Sequence, residues 1–281
     1  LRWLILTDNQ LETLPDAVGQ RPRMQKLALA GNQLTSLPHT MGELENLELL
    51  RISANQLREC PDHLLSLPKL AWFAFAGNPF CQSDANVESV PHVPSSSFER
   101  QEVLGQGASG VISKAVWNAN QGDFPNDIAV KVFKGEVTSD GYPQDELNAC
   151  LKVGNHPSLV QSLAQVSEPG FLALVMNLIP SHFKNLGLPP NFETCTRDTF
   201  PQGFTLSIAQ IEKIVAQMED VFQHMHDSQV CHGDLYAHNT LFDDEANIIF
   251  GDFGAASMYH MLPEAQQAQI KQIEHRALKH F

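Results

Sequence analysis

The chain has 281 residues, of which 43% are hydrophobic, so it is long enough for two domains that each bury an apolar core. Its 32 acidic residues outnumber its 18 basic residues and give a formal net charge of −14, which argues against nucleic acid or an anionic membrane as the main partner. The five cysteines lack the paired spacing of a zinc site. No apolar run reaches the roughly 18 residues that a membrane span needs, so we expect a cytoplasmic protein without a membrane span.

A repeat of 23 residues occupies the first part of the chain. Asparagines recur at Asn9, Asn32, Asn55 and Asn78, and apolar residues keep the same spacing around each of them. The shared pattern LxxLxLxxNxL predicts one short strand per repeat, with inward leucines and an asparagine that satisfies main-chain groups of the turn. A row of amphipathic helices would instead show a period of about 3.6 residues. The pattern resembles the leucine-rich repeat, and we expect an α/β solenoid over residues 1–81.

The repeat register also predicts which side chains point away from the core, on the concave face of the solenoid. Trp3, Leu49, Arg51 and Trp72 occupy such positions. Large side chains exposed on a concave face are typical of a protein-binding surface, so we expect a protein substrate or regulator to bind there. The alternative is that these residues pack on further repeats or on the second domain. On the binding hypothesis, Arg51→Ala and Trp72→Ala weaken partner capture and leave activity on a generic peptide unchanged.

Residues 82–97 are polar and contain proline and a serine run, which is typical of a linker, and the repeat does not continue beyond Phe98. The following stretch VLGQGASGVIS contains Gly105, Gly107 and Gly110. Dinucleotide-binding loops and kinase loops share this GxGxxG spacing, but residues typical of a strand follow here, where a dinucleotide-binding loop would open a helix.

A lysine lies inside the next predicted strand, IAVKVF. Lys131 needs an anionic partner there because an unpaired buried charge is costly. The predicted helix DELNACLKV begins about 15 residues later and carries Glu146, which can face this lysine.

From residue 98 onward the motifs follow one another in the order of the eukaryotic-type protein kinases, which this part of the chain resembles. LVMNLI resembles the fifth strand and hinge, HGDLYAHN the catalytic loop, and GDFG the metal-binding motif. The resemblance implies an α+β domain over residues 98–281, with a small lobe at about 98–176 and part of a helical lobe at about 180–281. The interval after Glu146 is one residue longer than in the family, which leaves Glu136 as the alternative partner of the strand lysine.

The resemblance implies binding sites for ATP and Mg²⁺. The ATP site would comprise Gly105, Gly107, Gly110, Ile112, Ala129, Lys131, Met176, Asn177, Ile179 and Leu241. Lys131, held by Glu146, would steady the α- and β-phosphates. Asn239 and Asp252 would bind Mg²⁺ through oxygen atoms. Asp234 would orient the substrate hydroxyl and accept its proton.

Two residues of HGDLYAHN depart from the pattern of the family. Gly233 stands in place of an arginine that receives a phosphorylated activation segment. Only Ser257 and Tyr259 follow as hydroxyl groups, so we expect no switch by phosphorylation of this segment. Tyr236 stands in place of a lysine near the γ-phosphate and cannot supply its charge, which a protonated His238 could replace in part.

We expect a protein kinase that transfers the γ-phosphate of ATP to protein hydroxyls, with serine or threonine favoured over tyrosine. A pseudokinase scaffold is disfavoured because all five catalytic residues are present: Lys131, Glu146, Asp234, Asn239 and Asp252. A small-molecule phosphotransferase of the aminoglycoside or choline type shares the HGDxxxxN loop, but the DFG motif and the repeats favour protein substrates. The combination resembles leucine-rich-repeat protein kinases, and the loop form suggests a bacterial member. We also expect a fragment, with its helical lobe truncated, because the chain starts within the repeat pattern and ends before the lobe is complete.

Overall fold

The computed structural model describes residues 1–82, 87, 89–119, 122–135 and 137–281. Glu136, the alternative partner of Lys131, lies outside these ranges, as does part of the expected linker. Within the described ranges, none of the helices has both the length and the apolar character that a membrane span requires.

The 23-residue repeats form a parallel sheet of short strands. The strands are β1 (Trp3–Ile5), β2 (Lys26–Ala28), β3 (Leu49–Arg51) and β4 (Trp72–Ala74). Equivalent positions of successive repeats are register partners, so Trp3, Lys26, Leu49 and Trp72 form one row across the sheet. The chain returns between strands through 3₁₀ turns and, after β3, through the helix α1 (Asp62–Leu65). We call residues 1–82 the repeat array.

The repeat asparagines connect neighbouring repeats. Asn55 is buried, and its amide nitrogen donates to the carbonyl oxygens of Leu29 at 2.9 Å and Ile52 at 3.0 Å. Its amide oxygen accepts from the main-chain N–H of Leu34 at 3.1 Å. The asparagines of the adjacent repeats make equivalent contacts. The predicted role of these asparagines in satisfying main-chain groups is therefore confirmed.

The next part of the chain folds into an antiparallel sheet with one helix against it, which we call the small lobe. Its strands, in the spatial order β5-β6-β7-β9-β8, are β5 (Phe98–Gln106), β6 (Gly110–Trp117), β7 (Asp127–Phe133), β8 (Ser162–Glu168) and β9 (Phe171–Asn177). The helix α2 (Pro143–Val153) starts with proline, which suits the first helical turn, and is followed by Gly154, which has a φ of +71°. Its buried Leu147 and Leu151 pack with Leu174 of the sheet.

The remaining part, the large lobe, contains two longer helices and several short strands. They are α3 (Ile208–Asp227), β10 (Lys184–Asn185), β11 (Val230–Cys231), β12 (Thr240–Phe242), β13 (Ile248–Phe250), β14 (Ser257–Met258) and α4 (Glu264–His280). A capping box between Ser207 and Gln210 begins α3. The helix buries one apolar stripe, which includes Met218 and Phe222, against the strands that carry the loop of residues 232–239.

The expected protein-binding face of the repeat array is covered by the second domain. Leu49, Arg51 and Trp72 are 3%, 4% and 2% exposed, and Leu49 and Trp72 share one apolar core with the large lobe. Trp3 is half-buried and its ring lies 4.7 Å from that of Phe192. The prediction that these positions form an open surface for another protein is therefore wrong. Burial against the chain's own second domain removes their apolar area from water without a partner.

Candidate active site

The residues predicted to bind a nucleotide line one cleft between the two lobes, with a volume of about 760 Å³. All of them border it: Gly105, Gly107, Gly110, Ile112, Ala129, Lys131, Met176, Asn177, Ile179 and Leu241. A Cβ added at Gly105 or Gly107 would meet no atom within 4 Å, so the main chain faces open space there. A Cβ at Gly110 would lie 2.4 Å from the carbonyl oxygen of Val132, so this glycine permits the close pairing of β6 with β7.

Lys131 and Glu146 form an ion pair at the back of this cleft. Lys131 lies on β7 and Glu146 on α2, and their side chains are 12% and 6% exposed. Burial raises the pKa of Glu146, and the charge of Lys131 opposes that shift. The structure thus gives the strand lysine the anionic partner that its burial requires.

The loop of residues 232–239 holds Asp234 from two directions. The amide nitrogen of Asn239 donates to Asp234 Oδ2 at 2.8 Å and to its carbonyl oxygen at 3.0 Å. The ring of His232 accepts from the Asp234 N–H at Nδ1, so its Nε2 carries the proton donated to the Gly251 carbonyl at 2.9 Å. This histidine therefore ties the loop to the residue before Asp252. Asp234 and Asn239 do not themselves border the cleft.

Asp252 borders the cleft in a left-handed main-chain conformation, with a φ of +57°. A non-glycine residue in this region costs about 1–2 kcal/mol, and such residues are concentrated at functional sites. Its carboxylate accepts from the Gly254 N–H at 3.4 Å. No group of three or more His, Cys, Asp or Glu side chains in the described ranges is placed to hold a metal ion alone. Mg²⁺ at Asn239 and Asp252 would therefore need phosphate oxygens or waters as further ligands.

A buried glutamate that the sequence analysis missed supports the same loop. Glu274 of α4 is 2% exposed, and its Oε1 accepts from the N–H groups of His232 and Gly233, each at 2.8 Å. Burial raises the pKa of Glu274 to about 7. The signal in the sequence is its position on the apolar face of α4, between the buried Ile270 and Ala277.

The repeat array also reaches the loop through an arginine. Arg51 Nη2 donates to Asp234 Oδ1 at 2.5 Å, and Nη1 donates to the Gly233 carbonyl at 2.7 Å. Its Nε donates to Asp140, in the segment before α2, at 3.0 Å. The Arg51 side chain is only 5% exposed. Arg51 thus belongs to the site, although the sequence placed it on a separate surface.

Both departures from the loop pattern of the family face the repeat array. Gly233 has a φ of +73°, and a Cβ there would lie 2.7 Å from the main-chain oxygen of Phe73 in β4. Tyr236 is 4% exposed and stacks on Trp72, whose Nε1 donates to the Leu235 carbonyl at 2.9 Å. A side chain at position 233 is therefore excluded by the docked array, and Tyr236 supplies part of the apolar contact.

The segment after Asp252 is also packed on the array. Ser257 Oγ accepts from the N–H groups of Phe75 at 2.9 Å and Ala76 at 3.0 Å. Ser257 and Tyr259 are both fully buried. Neither hydroxyl is therefore accessible to a modifying enzyme while the array is docked.

Comparisons with known proteins match both parts of the chain. A family model described as the protein kinase domain matches residues 98–273, and a leucine-rich-repeat model matches residues 1–57. The chain is similar to the cell division control protein 2 homolog 3 of Trypanosoma brucei brucei, with 23% identity over 182 residues that cover 64% of this chain and 53% of the relative.

Two further relatives are cyclin-dependent kinase 11B of Rattus norvegicus and a putative leucine-rich repeat receptor-like serine/threonine-protein kinase of Arabidopsis thaliana. The first is 26% identical over 167 residues, which cover 58% of this chain and 34% of the relative. The second is 27% identical over 172 residues, which cover 59% and 16%. The chain spans about half or less of the length of these relatives.

Proposed function

Because the chain belongs to the protein kinase family and carries leucine-rich repeats, we propose that it transfers the γ-phosphate of ATP to hydroxyl groups of proteins. The observation that carries this proposal is the cleft bordered by the glycine loop, the Lys131–Glu146 pair and Asp252. The relative named as a serine/threonine-protein kinase supports serine or threonine over tyrosine as acceptor. The proposed division is a repeat solenoid at 1–81, a linker at 82–97 and a kinase domain at 98–281.

In this proposal the adenine ring lies between Ile112, Ala129 and Leu241, and the phosphates lie along the glycine loop. Lys131 neutralises charge on the α- and β-phosphates, and Glu146 holds its ammonium group in place. This role is supported by the low exposure of the pair, since charges shielded from solvent interact more strongly than charges in water.

Asp234 is proposed as the group that receives the proton of the acceptor hydroxyl. The hydroxyl oxygen attacks the γ-phosphorus, the bond from that phosphorus to the bridging oxygen breaks, and ADP leaves with the bonding electrons. The contacts to Asn239 and His232 support this role because they fix the carboxylate and its main chain. The Asp234 side chain is 22% exposed, so substrate can still approach it.

Asn239 and Asp252 are the proposed ligands of Mg²⁺. Both hydrogen bonds of the Asn239 amide nitrogen go to Asp234, which leaves its amide oxygen as the atom for a cation. Asp252 contributes a carboxylate at the border of the cleft. When bound, Mg²⁺ would supply charge neutralisation to the phosphates through these oxygen ligands.

The proposal is tested by transfer of radiolabelled γ-phosphate to a generic basic protein and to the chain itself. Asp252→Ala and Lys131→Met are expected to abolish labelling. The control is Lys184→Met, because Lys184 is exposed and pairs with Asp244 outside the cleft. ATP binding without any labelling would indicate a nucleotide-binding scaffold. Labelling of amines or alcohols, but not of protein, would indicate a small-molecule phosphotransferase.

A further inference from the structure

The catalytic loop has no strong cation of its own. The sequence HGDLYAHN contains neither lysine nor arginine, and Tyr236, at the position of the family's lysine, is buried against Trp72. His232 is buried, and its ring nitrogens are occupied by main-chain partners. Lys131 is paired with Glu146. Among the contacts of the described residues, the cation bonded to Asp234 is Arg51.

Resting on the proposed function, we propose that Arg51 is a positioning residue of the phosphotransfer site, through which the repeat array supplies the cation that the catalytic loop lacks. The array is then a structural part of the active site as well as a neighbouring domain.

The contact with Arg51 orients the Asp234 carboxylate and still leaves it acceptor positions for a substrate. Arg51 bonds Oδ1 of Asp234 and Asn239 bonds Oδ2, so the carboxylate plane is set from two sides. A carboxylate offers about four acceptor positions, and these two bonds leave others for a substrate hydroxyl. The 22% exposure of the Asp234 side chain agrees with an accessible base.

Arg51 is itself held rigidly. Its main chain lies in β3, between two paired strands of the parallel sheet. Its guanidinium donates to the Gly233 carbonyl and to Asp140 as well as to Asp234, and the planar group fixes these three directions together. A side chain held in advance by several bonds needs no reorganisation when substrate binds, which is the property of a preorganised site.

The sharpest test compares Arg51→Lys with Arg51→Met, because both remove the guanidinium and only lysine keeps the charge. The control is Arg197→Ala, which breaks a second arginine–carboxylate contact between array and large lobe, at the buried Glu48, with an Arg197 side chain that is 43% exposed. Each variant is first checked for cooperative thermal unfolding, and then kcat and the KM values for ATP and peptide are measured.

For Arg51→Met, kcat is expected to fall by about 100-fold, with the KM for ATP within about twofold of the wild-type value. Arg51→Lys is expected to have a kcat about tenfold higher than Arg51→Met. Lysine restores the charge beside Asp234 but not the bonds to Asp140 and the Gly233 carbonyl. Arg197→Ala is expected to keep kcat within about twofold, since the hydrogen bonds of its guanidinium go to Glu48 and Thr196 and not to Asp234.

Three results would overturn the proposal. A kcat for Arg51→Met at or above that of the wild type would show that the contact of Arg51 with Asp234 does not assist the reaction and inhibits it if the value is higher. Equal values for Arg51→Lys and Arg51→Met would show that the charge is irrelevant. An equal loss in Arg197→Ala would reduce Arg51 to an ordinary docking contact.

If the wild-type chain transfers no phosphate, the proposed function fails, and unfolding in urea then decides whether Arg51 and Asp234 are directly coupled. Arg51→Met, Asp234→Asn and the double variant form a cycle that needs no activity. Midpoint shifts that simply add would overturn the positioning role. A double variant that loses clearly less than the sum would support direct coupling of the two residues.

Discussion

The indole ring of Trp72 stacks on the phenol ring of Tyr236, with the ring centroids 5.2 Å apart and the planes 2° from parallel. Trp72 belongs to the last strand of the repeat array, and Tyr236 belongs to the loop that carries Asp234. Trp72, one of the residues expected to bind a partner on the concave face, is therefore a core residue beside the candidate active site.

Trp72→Ala is expected to lower the free energy of unfolding by about 3–5 kcal/mol, because it leaves a cavity between the array and the loop. Trp72→Phe keeps a ring but leaves the buried Leu235 carbonyl without its donor, which costs about 1–3 kcal/mol. Urea unfolding measures both losses, with Trp117→Ala in the small lobe as the control for tryptophan removal. Phosphotransfer to a generic peptide is expected to fall in parallel. Full activity of Trp72→Ala on such a peptide would support the original hypothesis that the concave face of the repeat array serves only to bind partners.

Gly233→Ala is expected to destabilise the chain by more than the strain of a left-handed alanine. The added Cβ would lie 2.7 Å from the Phe73 oxygen and 3.0 Å from the Ala255 oxygen, and both are main-chain atoms. Gly170→Ala is the matched control, because Gly170 has a similar φ of +75° and no atom within 4 Å of an added Cβ. We expect a loss of about 1–2 kcal/mol for the control and about 1–3 kcal/mol more for Gly233→Ala. Equal losses would mean that the array does not dock on this loop in solution.

Phosphorylation after Asp252 is not expected to raise the proposed phosphotransfer activity. Ser257→Ala removes the acceptor for the buried N–H groups of Phe75 and Ala76, just after β4, so we expect a loss of about 1–3 kcal/mol in unfolding free energy. Ser257→Asp should destabilise further, because it buries a charge without a cation. Ser96→Asp, at an exposed serine, serves as the control. An increase of several-fold in the activity of Ser257→Asp would contradict this prediction.

Glu274 should make stability depend on pH in a recognisable direction. Its pKa is raised from an ordinary 4.5 to about 7 by burial, so the folded chain keeps a proton that the unfolded chain has lost. Its contribution is present below about pH 4.5 and is lost as the pH rises through about 7, a change of about 3 kcal/mol.

Glu274→Gln removes this titration and keeps one acceptor for the loop N–H groups. The stability of Glu274→Gln relative to the wild type should therefore rise between pH 5 and pH 7, as measured by urea unfolding at a series of pH values. Glu264→Gln, at the exposed start of α4, is the control. A difference between wild type and Glu274→Gln that stays constant with pH would contradict the shifted pKa.

Periodicity in the sequence predicted the strands of the repeat array, because each repeat contacts mainly its neighbours and a local pattern specifies it. The motif residues of the cleft could also be predicted from the sequence, because binding phosphate or a metal ion requires particular residue types. The contact of Arg51 with Asp234 was not visible, because it joins segments separated by 183 positions and depends on how two domains pack. Gly233 and Tyr236 were the available signals. Their departure from the family pattern reflects the presence of β4 beside the loop, a cause outside the motif itself.

The repeat array contacts both the segment that leads into the small-lobe helix and the catalytic loop of the large lobe. It bonds the segment before α2 through Arg51 and Asp140, and it bonds the catalytic loop through Trp72 and Leu235. A hinge rotation that opens the two lobes would have to break the contacts of the repeat array with one of them. Exchange of ADP for ATP should then depend on small displacements of the glycine loop. The contacts made by the repeat array should therefore influence the rate of nucleotide release as strongly as residues of the kinase domain do.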